Sequence, residues 1–158
     1  MARIEIPFTT NNLGRIGFIA GVMTGNSKSF NDVEFKLDSG SDFTTISCGA
    51  LDKLGYTQEF LADCPFHENI ASLAAHENQL KLQYITNVSI KFGNRELQGC
   101  RIFFALNTQL RNLLGSDILK YFNWEVNYDD AMFRLTQVKN APSLSKGEIP
   151  LQIYSVEN

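Results

Sequence analysis

The stretch Phe35-Lys36-Leu37-Asp38-Ser39-Gly40-Ser41-Asp42 delivers a carboxylate at the end of an apolar, strand-like run and turns the chain directly afterwards. A carboxylate so placed suits acid–base work, because a positioned acid can take a proton from water or give one to a reacting carbonyl. Ser39 and Ser41 supply hydroxyls that can hold it, and Gly40 lets the backbone reverse tightly. The tripeptide alone also suits an ordinary Asx turn closing a hairpin. Asp38 and Asp42 resemble a D-x-x-x-D pair of oxygen ligands for calcium or magnesium, but the further acids and the distant Glu of a full site are missing. Cys64, His67, His76 and Cys100 match no compact zinc module. The expectation is therefore no metal and no cofactor.

The elements that must position this acid are mostly strands. Ile4–Phe8 alternates, Ile16–Met23 is largely apolar, and Val33–Leu37 ends at Asp38. Ser47 is placed to cap a short helix over Cys48–Leu54, with Gly55 at its C-terminal stop. Residues 56–69 carry no clear period. Ile70–Leu73 and Leu80–Ile85 bracket a small, polar tip and read as a hairpin. Val88–Phe92 and Leu97–Leu106 read as a second, and Trp124–Tyr128 and Met132–Gln137 as a third, turned at Asp129-Asp130-Ala131. Between the last two lies NLLGSDIL, a short apolar segment with Gly115, in which Ser116 is placed to cap a helix over Asp117–Phe122. Leu151–Tyr154 is a possible last strand. Trp124 and the Phe103-Phe104 pair read as packing, and Lys81, Lys91, Arg95 and Arg101 as the coat of one sheet face.

Composition bounds the function. A chain of 158 residues suits one domain over 1–158 with a sizeable core, and 44% hydrophobic against 20% charged is ordinary soluble usage. The net charge of −3 comes from interspersed signs with no basic stripe, which argues against nucleic acid as a partner. No apolar run approaches a membrane span, and the N-terminus lacks the charged-then-apolar pattern of an export signal. Three cysteines, an odd and sparse set, do not form a disulfide framework, so a reducing, cytoplasmic setting is expected.

Two paired motifs give the chain a resemblance. LDSGSDFTTIS, an intervening hairpin, and LLGSDILKYF, in that order across residues 14–136, resemble the retropepsin-like aspartic proteases, the single-lobed relatives of pepsin. The resemblance implies a mainly β fold, a partly closed barrel of short strands with a flap hairpin and one or two short helices, one lobe per chain. It implies an aspartic endopeptidase acting on a polypeptide substrate as a homodimer, with one Asp38 from each subunit. Two carboxylates in contact cannot both ionise and share a proton. The ionised one activates water and the protonated one donates to the scissile carbonyl.

Other roles follow from the same resemblance. Ser39 braces the partner's loop, Gly40 turns its N–H groups toward the carboxylates, and Ser41 donates a hydroxyl hydrogen to the ionised carboxylate. Asp42 binds substrate main chain. Leu73, Ala74, Ala75, His76, Glu77 and Asn78 match the flap. Leu114 and Gly115 belong to the element packed beside the active loop. The tail beyond residue 136, or the strand at Ile4–Phe8, is a possible dimer strand. Two features depart from the pattern. Ser116 stands where many retroviral members carry an Arg that pairs with the carboxylate matching Asp42, and no glycine lies between Gly55 and Gly93, so the flap tip is not glycine-rich. A second reading from a different class is a catalytically inactive dimer of the same fold serving as a binding or assembly module.

Overall fold

A computed structural model describes residues 3–25, 29–72, 79–93, 95–106, 108–138 and 152–155. The chain opens with β1 (Arg3–Pro7), β2 (Thr9–Thr10), β3 (Ile16–Met23) and β4 (Asn31–Leu37). Helices α1 (Cys48–Lys53) and α2 (Gln58–Ala62) follow, then β5 (Phe66–Ser72), β6 (Gln79–Phe92) and β7 (Arg95–Phe104). The last described elements are β8 (Leu113–Leu114), α3 (Ser116–Leu119), β9 (Phe122–Asn127), β10 (Met132–Gln137) and β11 (Gln152–Ser155). The mainly β expectation holds.

Among the described residues, two sheets carry the structure. The larger runs β11-β7-β6-β3-β4-β8, with β2 on β3 and β5 on β6; the smaller runs β1-β10-β9. Alternation decides which faces meet. Ile4 and Ile6 of β1 lie opposite Leu135 and Phe133 of β10, and all four are buried. Phe18 on β3 joins the sheets: its ring lies 6.0 Å from Phe35, 5.9 Å from Phe92 and 6.2 Å from Phe133. Deleting such a buried ring costs about 3–5 kcal/mol, since the cavity adds to the lost transfer energy. The strands β1 and β11, offered by the sequence for a dimer sheet, pair within the chain with β10 and β7.

Several local expectations hold for the stated reasons. Ser47 caps α1 by accepting from Ala50 N, and Gly55 takes a left-handed φ of 92° after the helix. Asn127 holds the β9–β10 turn, accepting from Asp130 N and donating to Asp130 Oδ2.

Others are corrected. The aperiodic stretch after Gly55 contains α2, capped by Thr57, whose hydroxyl accepts from Phe60 N; a helix of five residues is too short to show a period. Ser116 is not a cap. It lies inside α3, and the cap position is Gly115, whose carbonyl accepts from Leu119 N. The strands at 80–85 and 88–92 are one strand, β6, which serves two hairpins and bulges between Ile85 and Val88. Trp124 is not core. Its register opposite Leu135 puts it on the inward face, but β9 ends the smaller sheet and leaves it 45% exposed.

The β9–β10 turn holds Ala131 at φ 50°, a left-handed conformation that crowds Cβ against the following carbonyl. Ala131→Gly is expected to stabilise the protein by about 1 kcal/mol, raising Tm by about 2–4 °C in a thermal melt. An unchanged or lower Tm would show that the turn carries no such strain.

Candidate active site

The acid-bearing loop is built by threading one segment between its two arms. The incoming arm is β4, parallel to β8 with Leu37 opposite Leu114. Lys36 N donates to Asn112 O at 2.9 Å, and Asp38 N donates to Leu114 O at 3.0 Å. The outgoing arm lies on the other side, where Thr45 and Leu113 exchange two backbone bonds of 3.0 Å. The Asn112 side chain spans both arms, accepting from Ser47 N and donating to Glu34 O. The outgoing arm also joins β7: Phe103 N donates to Thr44 O and Ile46 N to Phe103 O. Asp38 therefore stands at the apex of a loop whose two stems are hydrogen-bonded on either side of β8.

This threading accounts for Gly115. Its φ of −102° is open to any residue, so conformation does not demand glycine there. Space does. A Cβ on Gly115 would lie 2.5 Å from Phe43 O and 2.8 Å from Ser41 O, inside backbone that cannot swing away. Directly after it, Ser116 N donates to Ser41 O at 2.7 Å.

Thr44 and Asp117 lock the same contact from beneath. Thr44 is fully buried, and its hydroxyl donates to Asp117 Oδ1 at 2.6 Å while accepting from Gly115 N at 3.1 Å. Thr44 N donates to Asp117 Oδ2 at 2.9 Å, and Ile118 N to Oδ1 at 3.0 Å. Burial pushes the Asp117 carboxyl above its ordinary value. The Thr44 and Ile118 hydrogen bonds and the Lys120 charge pull it down and do not win.

Within the loop, Asp38 is partly buried, and its Oδ1 accepts from Gly40 N at 3.1 Å, as the glycine turn implied. Ser41 behaves otherwise than expected. Its hydroxyl donates to Phe43 O at 2.8 Å, bracing the loop from inside instead of reaching the Asp38 carboxylate. Ser39 and Asp42 are exposed. Neither Arg111 nor Lys120 pairs with Asp42 among the described residues, so nothing there replaces the missing arginine. β5 and β6 pair antiparallel, while Leu73, Ala74, Ala75, His76, Glu77 and Asn78, expected to match a flap, lie outside the described residues.

The sequence reading missed Thr44 and Asn112 and placed Asp117 at the start of a helix without its partners. Adjacent threonines between Phe43 and Ile46 were the available signal, since buried hydroxyls require partners. Among the described residues no three His, Cys, Asp or Glu side chains gather to hold a metal. The three cysteines are unpaired, and burial raises the pKa of each thiol. No helix among the described residues is long and apolar enough to cross a membrane.

No protein-family model matches the chain, and no curated protein does. Solved structures do match. One is the crystal structure of a retropepsin-like aspartic protease from Rickettsia conorii, at 24% identity with a TM-score of 0.58, covering 85% of this chain and 89% of that one. The fold is retropepsin-like: a partly closed barrel of short strands, one lobe in the chain.

Two measurements test the lock. Gly115→Ala is expected to cost about 1–3 kcal/mol by overpacking, a fall in Tm of about 2–4 °C per kcal/mol; an unchanged Tm would remove the steric argument. Asp117 sets a pH trend. Because its folded pKa is raised, its contribution to stability is fully present below the unfolded value, 3.8, and is lost as pH rises through the folded value. Wild type should therefore gain stability relative to Asp117→Asn as pH falls from about 7 toward about 4. Parallel Tm curves for the two proteins would show that Asp117 does not titrate in this way.

Proposed function

We propose that the chain is an aspartic endopeptidase that works as a homodimer. The observation that carries this reading is the Asp38 loop: an acid at the apex of a doubly clamped Asp-Ser-Gly turn, with one oxygen held by Gly40 N–H. The retropepsin-like fold supports it. So does the economy of the site, because one chain offers one such acid and the chemistry needs two. In the dimer, Asp38 of each subunit meets at the two-fold axis, and the pair holds one proton between them. The ionised carboxylate takes a proton from a water lying between them, and the protonated one donates to the carbonyl oxygen of the scissile bond. Water attacks the carbonyl carbon to give a tetrahedral diol. Its collapse breaks the C–N bond, the amine leaving with a proton from the dyad. No covalent intermediate forms on the enzyme. The observed titrations would belong to the pair.

The clamped stems suit this chemistry. A dyad works only if two carboxylates are held at hydrogen-bond distance against their mutual repulsion, and a loop free to swing would let them part. Exposed Ser39 is free to brace the partner's loop across the axis, and exposed Asp42 to accept from substrate main-chain N–H. The hairpin of β5 and β6 supplies the stems of a flap that covers the peptide and excludes water. The unpaired cysteines suit a cytoplasmic setting.

Asp38→Asn is the decisive variant. It keeps the size of the side chain but cannot share the proton, so cleavage of an unbiased peptide library should fall by at least about 1000-fold while the oligomeric state is kept. Comparable cleavage by the variant would overturn the mechanism. A folded wild-type dimer that cleaves nothing would favour the binding module.

A further inference from the structure

A cleft of about 320 Å³ opens beside the Asp38 loop. Asp42 and Phe43, which follow the Asp-Ser-Gly turn, line it together with Ser116 and Asp117. The irregular part of the β6–β7 hairpin also lines it. There β6 bulges, Asn87 takes a left-handed φ of 57°, and Gly99 takes 78°. Asn87 and Thr86 are exposed and line the cleft. Bulges re-aim side chains beside functional sites, and asparagine takes the left-handed conformation at little cost.

The lining has a definite chemistry. Two cations, Arg101 and Lys120, reach it, whereas the sequence reading spread Arg101 over a solvent-coated face. The Arg101 guanidinium sits 4.3 Å from the centroid of the Tyr84 ring, a contact that steadies a group suited to bonding a planar anion. Of the two carboxylates, only Asp42 is exposed. Asp117 has both oxygens occupied by Thr44 and Ile118, so its carboxyl is already bonded within the chain. Two cations thus face one exposed carboxylate. An apolar wall completes the lining. Phe43, His67 and Phe103 meet edge to face, with centroids 5.0 Å, 5.4 Å and 4.8 Å apart around the triangle.

We propose that this cleft is a specificity subsite that seats an acidic side chain of the peptide substrate, at a position removed from the scissile bond. The side-chain methylenes lie along the aromatic wall, and the carboxylate bonds to Arg101 and Lys120. Glutamate suits it better than aspartate, because its longer stem covers more of the wall. The proposal rests on the peptidase reading.

The test uses matched peptides that differ only by Glu or Gln at one position, scanned along the substrate. At one position, wild type should favour Glu by about tenfold in kcat/KM, and the ratio should fall toward one in the Arg101→Gln/Lys120→Gln double variant and shrink at high salt. Arg101→Lys keeps the charge and should retain part of the ratio, which separates lost recognition from lost folding. Equal use of Glu and Gln by wild type, or an undiminished ratio in the double variant, would overturn the subsite. Binding of the same fluorescein-labelled peptides to Asp38→Asn, read by fluorescence anisotropy, separates the two readings. Discrimination in binding with no hydrolysis by wild type would sink the peptidase and keep the cleft. Hydrolysis without discrimination would do the reverse.

Discussion

The carbonyls of Ser41 and Phe43 occupy the space where a side chain on Gly115 would be, and the rest of the site depends on that contact. Because the two segments touch backbone to backbone, β8 can run between the arms of the Asp38 loop and bond to both. The approach also brings Asp117 under Thr44. A larger residue at 115 would push β8 away, and the clamp, the Thr44–Asp117 lock and the seat of Asp38 would loosen together.

The lock is a balance of opposed costs. Burying the Asp117 carboxylate is unfavourable, and three hydrogen bonds with a nearby ammonium offset only part of that. What the arrangement supplies is direction: a carboxylate whose oxygens must both be filled permits few positions of the loop above it. The surface network around Arg134, Glu5, Glu125 and Asp130 is of a different kind. Its acids are more than half exposed, and such pairs contribute little to stability.

Much of this was legible in the residues. The strand pattern, the caps at Ser47 and Gly55 and the pairing of the Asp38 and Gly115 segments all rest on local chemistry or on short motifs, and a sequence displays those. What stayed hidden depends on neighbours brought from far along the chain. The partner of the Ser41 hydroxyl is a carbonyl two residues on, but the curl of the loop that selects it is set by Ser116 N. Trp124 carries the right alternation for a core residue, and only the strand order reveals that β9 ends its sheet. The cleft was invisible because its lining comes from five separated segments, and because a bulge shifts which face the following residues of β6 point to.

Thr44 and Asp117 lie 73 residues apart in sequence, and the bonds joining the Asp38 loop to β8 close loops of similar length. Hairpins such as β6–β7 and β9–β10 close over short turns, so their loop-closure entropy is small and they can form early. The threaded segment has no such shortcut. It gains its bonds only when both arms are in place, and contacts of this separation slow folding. The Asp38 loop is therefore expected to be among the last parts of the chain to reach its final geometry. A nascent or partly folded chain carries the acid without the frame that holds it, so any hydrolytic competence arrives only with the completed tertiary structure.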